Sequence, residues 1–163
     1  MKRPSLRERG FTLIELLVSL AIVGLLAMVA LPLAQVVQTR AKEAELKQAL
    51  RTIRHALDSY KAAADAGVID KGVGASGYPA SLDALTVGVP RSAAFGFSAQ
   101  PFVVLRRIPR DPFAEDPSLS NVQTWNTRAY SSSADAPQPG ADVFDVSSKS
   151  ARQALDGSAY SAW

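Results

Sequence analysis

Gly10-Phe11-Thr12-Leu13-Ile14-Glu15 opens an apolar run that continues through Ala34, and the reading of this stretch decides the fold. Leu16 to Ala34 is 19 residues without a charge. At ~1.5 Å per residue that is ~28 Å of helix, close to the ~30 Å hydrocarbon thickness of a bilayer. The length predicts a membrane anchor. Glu15 is the exception within it: a carboxylate in a spanning segment costs roughly 2.5–3.5 kcal/mol at the helix centre and marks a functional residue, and near the end of the span it costs less. Position at the lipid headgroups would also accommodate it without a partner.

Charge supports the anchor and argues against nucleic acid. The chain has 18 basic and 15 acidic residues, and Lys2, Arg3, Arg7 and Arg9 against Glu8 in residues 1–10 account for the whole excess of +3. The remainder is formally neutral. A basic cluster ahead of an apolar helix is a positive-inside signal, which keeps the leader in the cytoplasm and sends the carboxyl-terminal part across the membrane. In a secretory signal peptide the small-residue cleavage site follows the apolar segment; here the candidate cut precedes it. The absence of cysteine excludes disulfides, iron–sulfur clusters and thiolate nucleophiles.

Beyond the anchor the helical pattern persists. Leu46, Leu50, Ile53, Leu57 and Tyr60 form one apolar stripe, with Glu43–Lys47 and Arg54–Asp58 at the supportive i,i+4 spacing. No breaker follows until Gly67, so Phe11 to about Ala64 reads as one helix of roughly 80 Å. The stripe predicts packing on the chain's own globular part, with an intersubunit seam as the rival reading. His55, the only histidine, falls on the charged side and reads as solvated. Gly24 and Pro32 make the segment between them the weak stretch, because Pro32 has no N–H for the Met28 carbonyl; a simple kink is the alternative.

Gly72-Val73-Gly74-Ala75-Ser76-Gly77 matches G-x-G-x-x-G, but a helix end precedes it and Tyr78-Pro79 follows. A dinucleotide fingerprint needs a strand before and a helix after, so this reads as a flexible loop. A short helix is expected over 79–85, started by Pro79 or Ser81. Residues 87–105 carry Phe95, Phe97 and Phe102 and predict a short strand near 102–105. Leu105-Arg106-Arg107-Ile108-Pro109-Arg110-Asp111-Pro112-Phe113 is turn chemistry. Trp125 to Tyr130 and Asp142 to Ser147 alternate as half-buried strands. Three short antiparallel strands on the amphipathic half-helix give an α+β head, with one sheet face on the helix. No Ser-His-acid set, G-x-S-x-G, metal-spaced His/Cys cluster or valid phosphate loop is present, so the expectation is a non-enzyme.

Glycine, phenylalanine and then an acid four residues on, heading an apolar helix, resembles the prepilin peptidase site of type IV pilins and type II secretion pseudopilins. The resemblance implies cleavage after Gly10, N-methylation of the new terminus on Phe11, and Glu15 as the acid that registers one subunit on the next. Cutting there creates an amine at Phe11, a group that ordinarily titrates at roughly pH 7.7–8.0. It implies a leader over 1–10, a transmembrane and assembly helix over 11–38, an amphipathic half over 39–66 and a periplasmic head over 67–163. Gly24 and Pro32 match the residues that bracket a segment losing helical structure in assembled filaments of the family. Tyr78-Pro79 with the helix after it, and the Pro109-Arg110-Asp111-Pro112-Phe113 turn, resemble the major pseudopilin of type II secretion; the lack of cysteine points to the same branch. Asp156-Gly157 and Trp163 resemble that subunit's calcium-holding tail. Lys149 and Arg152 fall where acids would be expected, leaving Asp156 as the candidate ligand, while calcium takes about six to eight oxygens; a loop pinned by Trp163 packing is the other reading. Implied partners are copies of itself in a filament, minor pseudopilins, the prepilin peptidase, and the inner-membrane assembly platform with its motor. A type IV or competence pilin and a membrane-tethered periplasmic binding module are the alternatives.

Overall fold

In the computed structural model, residues 10–93 and 100–163 are described; the leader residues 1–9, with Phe95 and Phe97, lie outside them. Helix α1 runs Leu13–Asp65 and α2 Ala84–Val87; strand β1 is Trp125–Arg128 and β2 Asp145–Ser148. Single 3-10 turns occupy Val122–Thr124 and Tyr160–Ala162. A long amino-terminal helix followed by a small antiparallel sheet is the expected α+β layout. The chain falls into two units, Met1–Arg40 and Ala41–Trp163.

In the first unit α1 starts at Leu13 because Thr12 caps it: the Glu15 N–H donates to Thr12 Oγ1 at 3.3 Å and the Leu16 N–H to the Thr12 carbonyl at 3.2 Å. The helix remains continuous across Gly24 and Pro32. Its most apolar stretch, of mean hydropathy 2.7, is wholly unburied.

In the second unit the α1 stripe carries the core. Leu46, Leu50, Ile53 and Leu57 are buried, and Tyr60 lies at the edge of the same cluster. Each buried aliphatic side chain contributes about 1.5–3 kcal/mol. Ala49 and Ala56 complete the face and are small enough to let Leu82, Leu85, Ile108, Phe113, Trp125, Val146 and Tyr160 close over it. Helix α1 ends in a Schellman motif: Gly67 takes φ +72°, its N–H donates to Ala64, and the Val68 N–H donates to Ala63. Residues 72–77 then form turns, with an Ala75 N–H to Gly72 carbonyl bond and positive φ at Gly74 and Gly77. That is a loop, with no strand before it among the described residues.

Three expectations are corrected. The strand near 102–105 does not form; Phe102 makes an isolated bridge with Val89, while the Val104 and Leu105 N–H groups both donate to the Leu85 carbonyl within α2, at 3.1 and 2.9 Å. Pro101 has no N–H to extend a ladder, so among the described residues the sheet has two strands, not three. They pair antiparallel with Trp125 opposite Ser148 and Arg128 opposite Asp145. Both are shorter than expected, because the Tyr130 N–H turns to the Asp142 carboxylate and the Val143 N–H to the Pro79 carbonyl. The short helix begins at Ala84 instead of Pro79 or Ser81: Ala84 and Leu85 donate three residues back, to Ser81 and Leu82, so the entry is wound as 3-10 turns. Gly88 follows α2 at φ +84°, ψ 167°, a region essentially confined to glycine, and a Cβ there would lie 2.7 Å from Val103 Cγ2.

Candidate functional site

The first candidate site is the head of α1. Gly10, Phe11 and Thr12 precede the helix, and Phe11 is 81% exposed. A Cβ on Gly10 would meet nothing within 4 Å, and the same holds at Gly24. Neither glycine is demanded by the packing of its own chain. Glu15 sits in the first turn of α1, where a carboxylate faces the positive end of the helix dipole. Thr12-Leu13-Ile14-Glu15 is thus the capping pattern S/T-x-x-E, a signal present in the sequence beneath the family motif. Below Glu15, Leu16, Leu20, Leu25, Leu26, Leu31 and Leu33 are all exposed. Contiguous apolar surface on this scale requires lipid or another protein surface.

The proline turn is a structural joint of the head. Asp111 is buried; its Oδ1 accepts the Phe113 N–H at 2.8 Å and its Oδ2 accepts the Ser148 hydroxyl, while its own N–H donates to Thr124 Oγ1 at 3.2 Å. Asn121 Nδ2 donates to the Ile108 carbonyl at 2.8 Å and Trp125 Nε1 to that of Pro109 at 2.9 Å. Arg110 gives its guanidinium to the Leu119 and Asp116 carbonyls. The arginine therefore stays within its own loop, which fits a turn rather than a phosphate site.

Two expected helix-surface pairs are replaced by tertiary ones. Arg54 turns from Asp58 to Asp145, at 2.8 Å, and to the main-chain oxygens of Val146 and Trp163. Glu43 turns from Lys47 to the tail, where Oε1 accepts the Leu155 N–H at 2.8 Å and the Tyr160 hydroxyl at 3.0 Å. An i,i+4 pair contributes only ~0.2–0.5 kcal/mol and yields to partners that need satisfying at the core edge. The helix pair that does form is Lys61–Asp65, with the lysine held above and the aspartate below their ordinary pKa values by their mutual hydrogen bond. His55 is exposed, as expected.

The tail does not fit a calcium site. Asp156 Oδ1 accepts the Ser158 N–H at 2.9 Å and its hydroxyl at 2.6 Å, and these bonds hold its carboxyl below the usual range. Lys47, Arg51 and Arg54 share its cavity wall with Trp163. Among the described residues no three His, Asp or Glu side chains gather as metal ligands. One acid among three cations is the reverse of what a hard divalent ion needs.

Tyr160 is buried against Phe113, ring centroids 4.1 Å apart. Burial, then its bond to Glu43, pushes its pKa up to about 12 from 10.0. The folded value exceeds the unfolded one, so this contribution is fully present below pH about 10 and is lost as pH rises toward about 12. Burial also raises Tyr60 and Tyr78, so a phenolate absorbance titration of the folded protein should show Tyr160 as the last tyrosine to ionise, and unfolding midpoints should fall across that window. In Tyr160→Phe the late step should vanish.

Residues 5–31 match the family described as the prokaryotic N-terminal methylation motif. The chain is also 44% identical over 54 residues to the type IV major pilin protein PilA of Myxococcus xanthus (strain DK1622); the match covers 33% of this chain and 24% of that protein, so the chain spans about a quarter of the relative's length. No solved structure matches the chain. The amino-terminal third of the chain is thus similar to a type IV pilin, and the long helix followed by a small antiparallel sheet is the α+β layout expected of that resemblance.

Proposed function

We propose that the chain is a structural subunit of a filament assembled from the bacterial inner membrane, and that this filament is the pseudopilus of a type II secretion system. The carrying observation is the unpartnered apolar surface of α1 with Glu15 in its first turn. In the membrane that surface meets lipid; in a filament it meets copies of itself. A peptidase reads the basic leader and the unhindered backbone at Gly10 and cuts before Phe11, which is then methylated. The Phe11 amine and Glu15 guide docking, and packing from Leu13 through Val37 holds the subunits. The leader stays cytoplasmic and the head periplasmic. The segment between Gly24 and Pro32, helical in the free subunit, is the part that loses helix on assembly, as Pro32 has already removed one of its bonds. A motor at the membrane platform adds subunits, minor pseudopilins share the filament, and its growth drives export.

The secretion reading is supported by the Asp111 turn, whose Ile108 and Phe113 lie in the head core. A type IV pilus subunit is the second reading, favoured by the pilin relative. The test is mass spectrometry of the protein from membranes and electron microscopy of the overproduced protein. The expected result is a mature chain beginning at methylated Phe11, in filaments that stay periplasmic and are needed for export. Long surface fibres with export intact would transfer the assignment to the pilus, and a mature chain beginning at Met1 would overturn both readings.

A further inference from the structure

The carboxyl-terminal loop is closed by its own backbone. Gln153 bridges Ala159, the Ala154 N–H donates to the Ser158 carbonyl at 2.8 Å, and Gly157 turns the chain at φ +86°. Trp163 Nε1 donates to Ser158 Oγ at 2.7 Å, and the Trp163 ring meets that of Tyr160 edge-on at 5.1 Å. This unit is then fastened to α1 by three charged side chains at positions 43, 47 and 54, which share one helical face. Glu43 takes the Leu155 N–H and the Tyr160 hydroxyl; Arg54 takes the main-chain oxygens of Val146 and Trp163. Between them Lys47 Nζ stands 4.2 Å above the Trp163 ring centroid, and its charge acts on Asp156.

We propose that Lys47 is the resident cation of this loop: its ammonium occupies the electrostatic role that a bound divalent ion would fill in an acidic tail. A cation over an indole face is attracted to the ring, the more so when partly desolvated, and the same charge is attracted to Asp156. Glu43 and Arg54 supply the directional bonds. A divalent ion brought to Asp156 would meet Lys47, Arg51 and Arg54 across the same cavity and be repelled. The head is therefore complete without metal, and its tail stays shut whatever the calcium level around it. This inference does not depend on the filament reading.

The test uses the full chain in detergent micelles, with hydrogen exchange of residues 153–163 and thermal unfolding followed in chelator and in millimolar calcium. The wild type should show the same Tm and the same tail protection in both. Lys47→Met, which keeps the unbranched stem and removes the charge, should speed tail exchange by about five- to tenfold, with calcium giving no rescue; Lys47→Arg should remain near wild type. A calcium-dependent rise in wild-type Tm or tail protection overturns the proposal. So does unchanged tail exchange in Lys47→Met. If Lys47→Met fails to fold, the wild-type calcium comparison and Lys47→Arg still decide.

Discussion

Replacing Glu15 with alanine is expected to leave the protein in the membrane fraction and to remove it from filaments. Three effects separate cleanly. The cap survives, because the bond at the helix start runs from the Glu15 N–H to Thr12 Oγ1 and uses no side-chain atom of Glu15; the lost dipole interaction is only about 0.3–1 kcal/mol. Insertion improves, because an apolar methyl replaces a carboxylate within reach of the hydrocarbon. On the proposed docking, assembly loses the partner of the Phe11 amine. Removing one member of a buried ion pair costs roughly 3–5 kcal/mol because the other charge is left uncompensated, or roughly 10²–10⁴-fold per added subunit at 1.36 kcal/mol per decade. Fractionation followed by quantification of sheared or pelleted filaments reads this directly. Filaments at wild-type yield would sink the register role of Glu15. Glu15→Asp, with the acid on a shorter stem, should fall between the two.

The largest effect on the head itself is expected at Asp111. Alanine there strands the Phe113 N–H and the Ser148 hydroxyl, both bonded to its carboxylate inside the core. Each buried polar group left unmade costs about 1–3 kcal/mol, so the loss is about 2–6 kcal/mol, a large part of the ~5–15 kcal/mol that holds a typical domain. The unfolding midpoint should drop by roughly 10 °C. Asp111→Asn keeps an acceptor for Phe113 and should lose about half as much. Asp116, exposed and bonded to Ser118 in its own loop, provides the control: its alanine variant should change stability by about 0.5 kcal/mol or less. Equal losses at the two positions would refute the account of the Asp111 joint.

The residues legible in the sequence are those whose environment repeats along the chain. The stripe Leu46, Leu50, Ile53 and Leu57 declares itself by spacing, and the structure buries all four. Gly67 reads as a helix stop and supplies the left-handed residue of the Schellman motif. Asp111 is legible only as part of a turn, since its role depends on Ser148, 37 positions away. The third strand fails to form because Val104 and Leu105 find their acceptor at Leu85 within α2 rather than in a ladder.

What the sequence by itself determined is the apolar helix with its capped, acid-bearing start, the amphipathic continuation and the order of elements. These are fixed by local periodicity and by an apolar run long enough to cross a membrane. Only the tertiary structure decided where the charges of α1 point. Arg54 joins Asp145 across 91 positions and Glu43 joins Tyr160 across 117, while Lys47 leaves Glu43 for the Trp163 ring. A local ion pair on a wet helix is weak. Carbonyls, a hydroxyl and an indole brought to the core edge by folding are stronger claims on the same side chains, and no spacing rule records them.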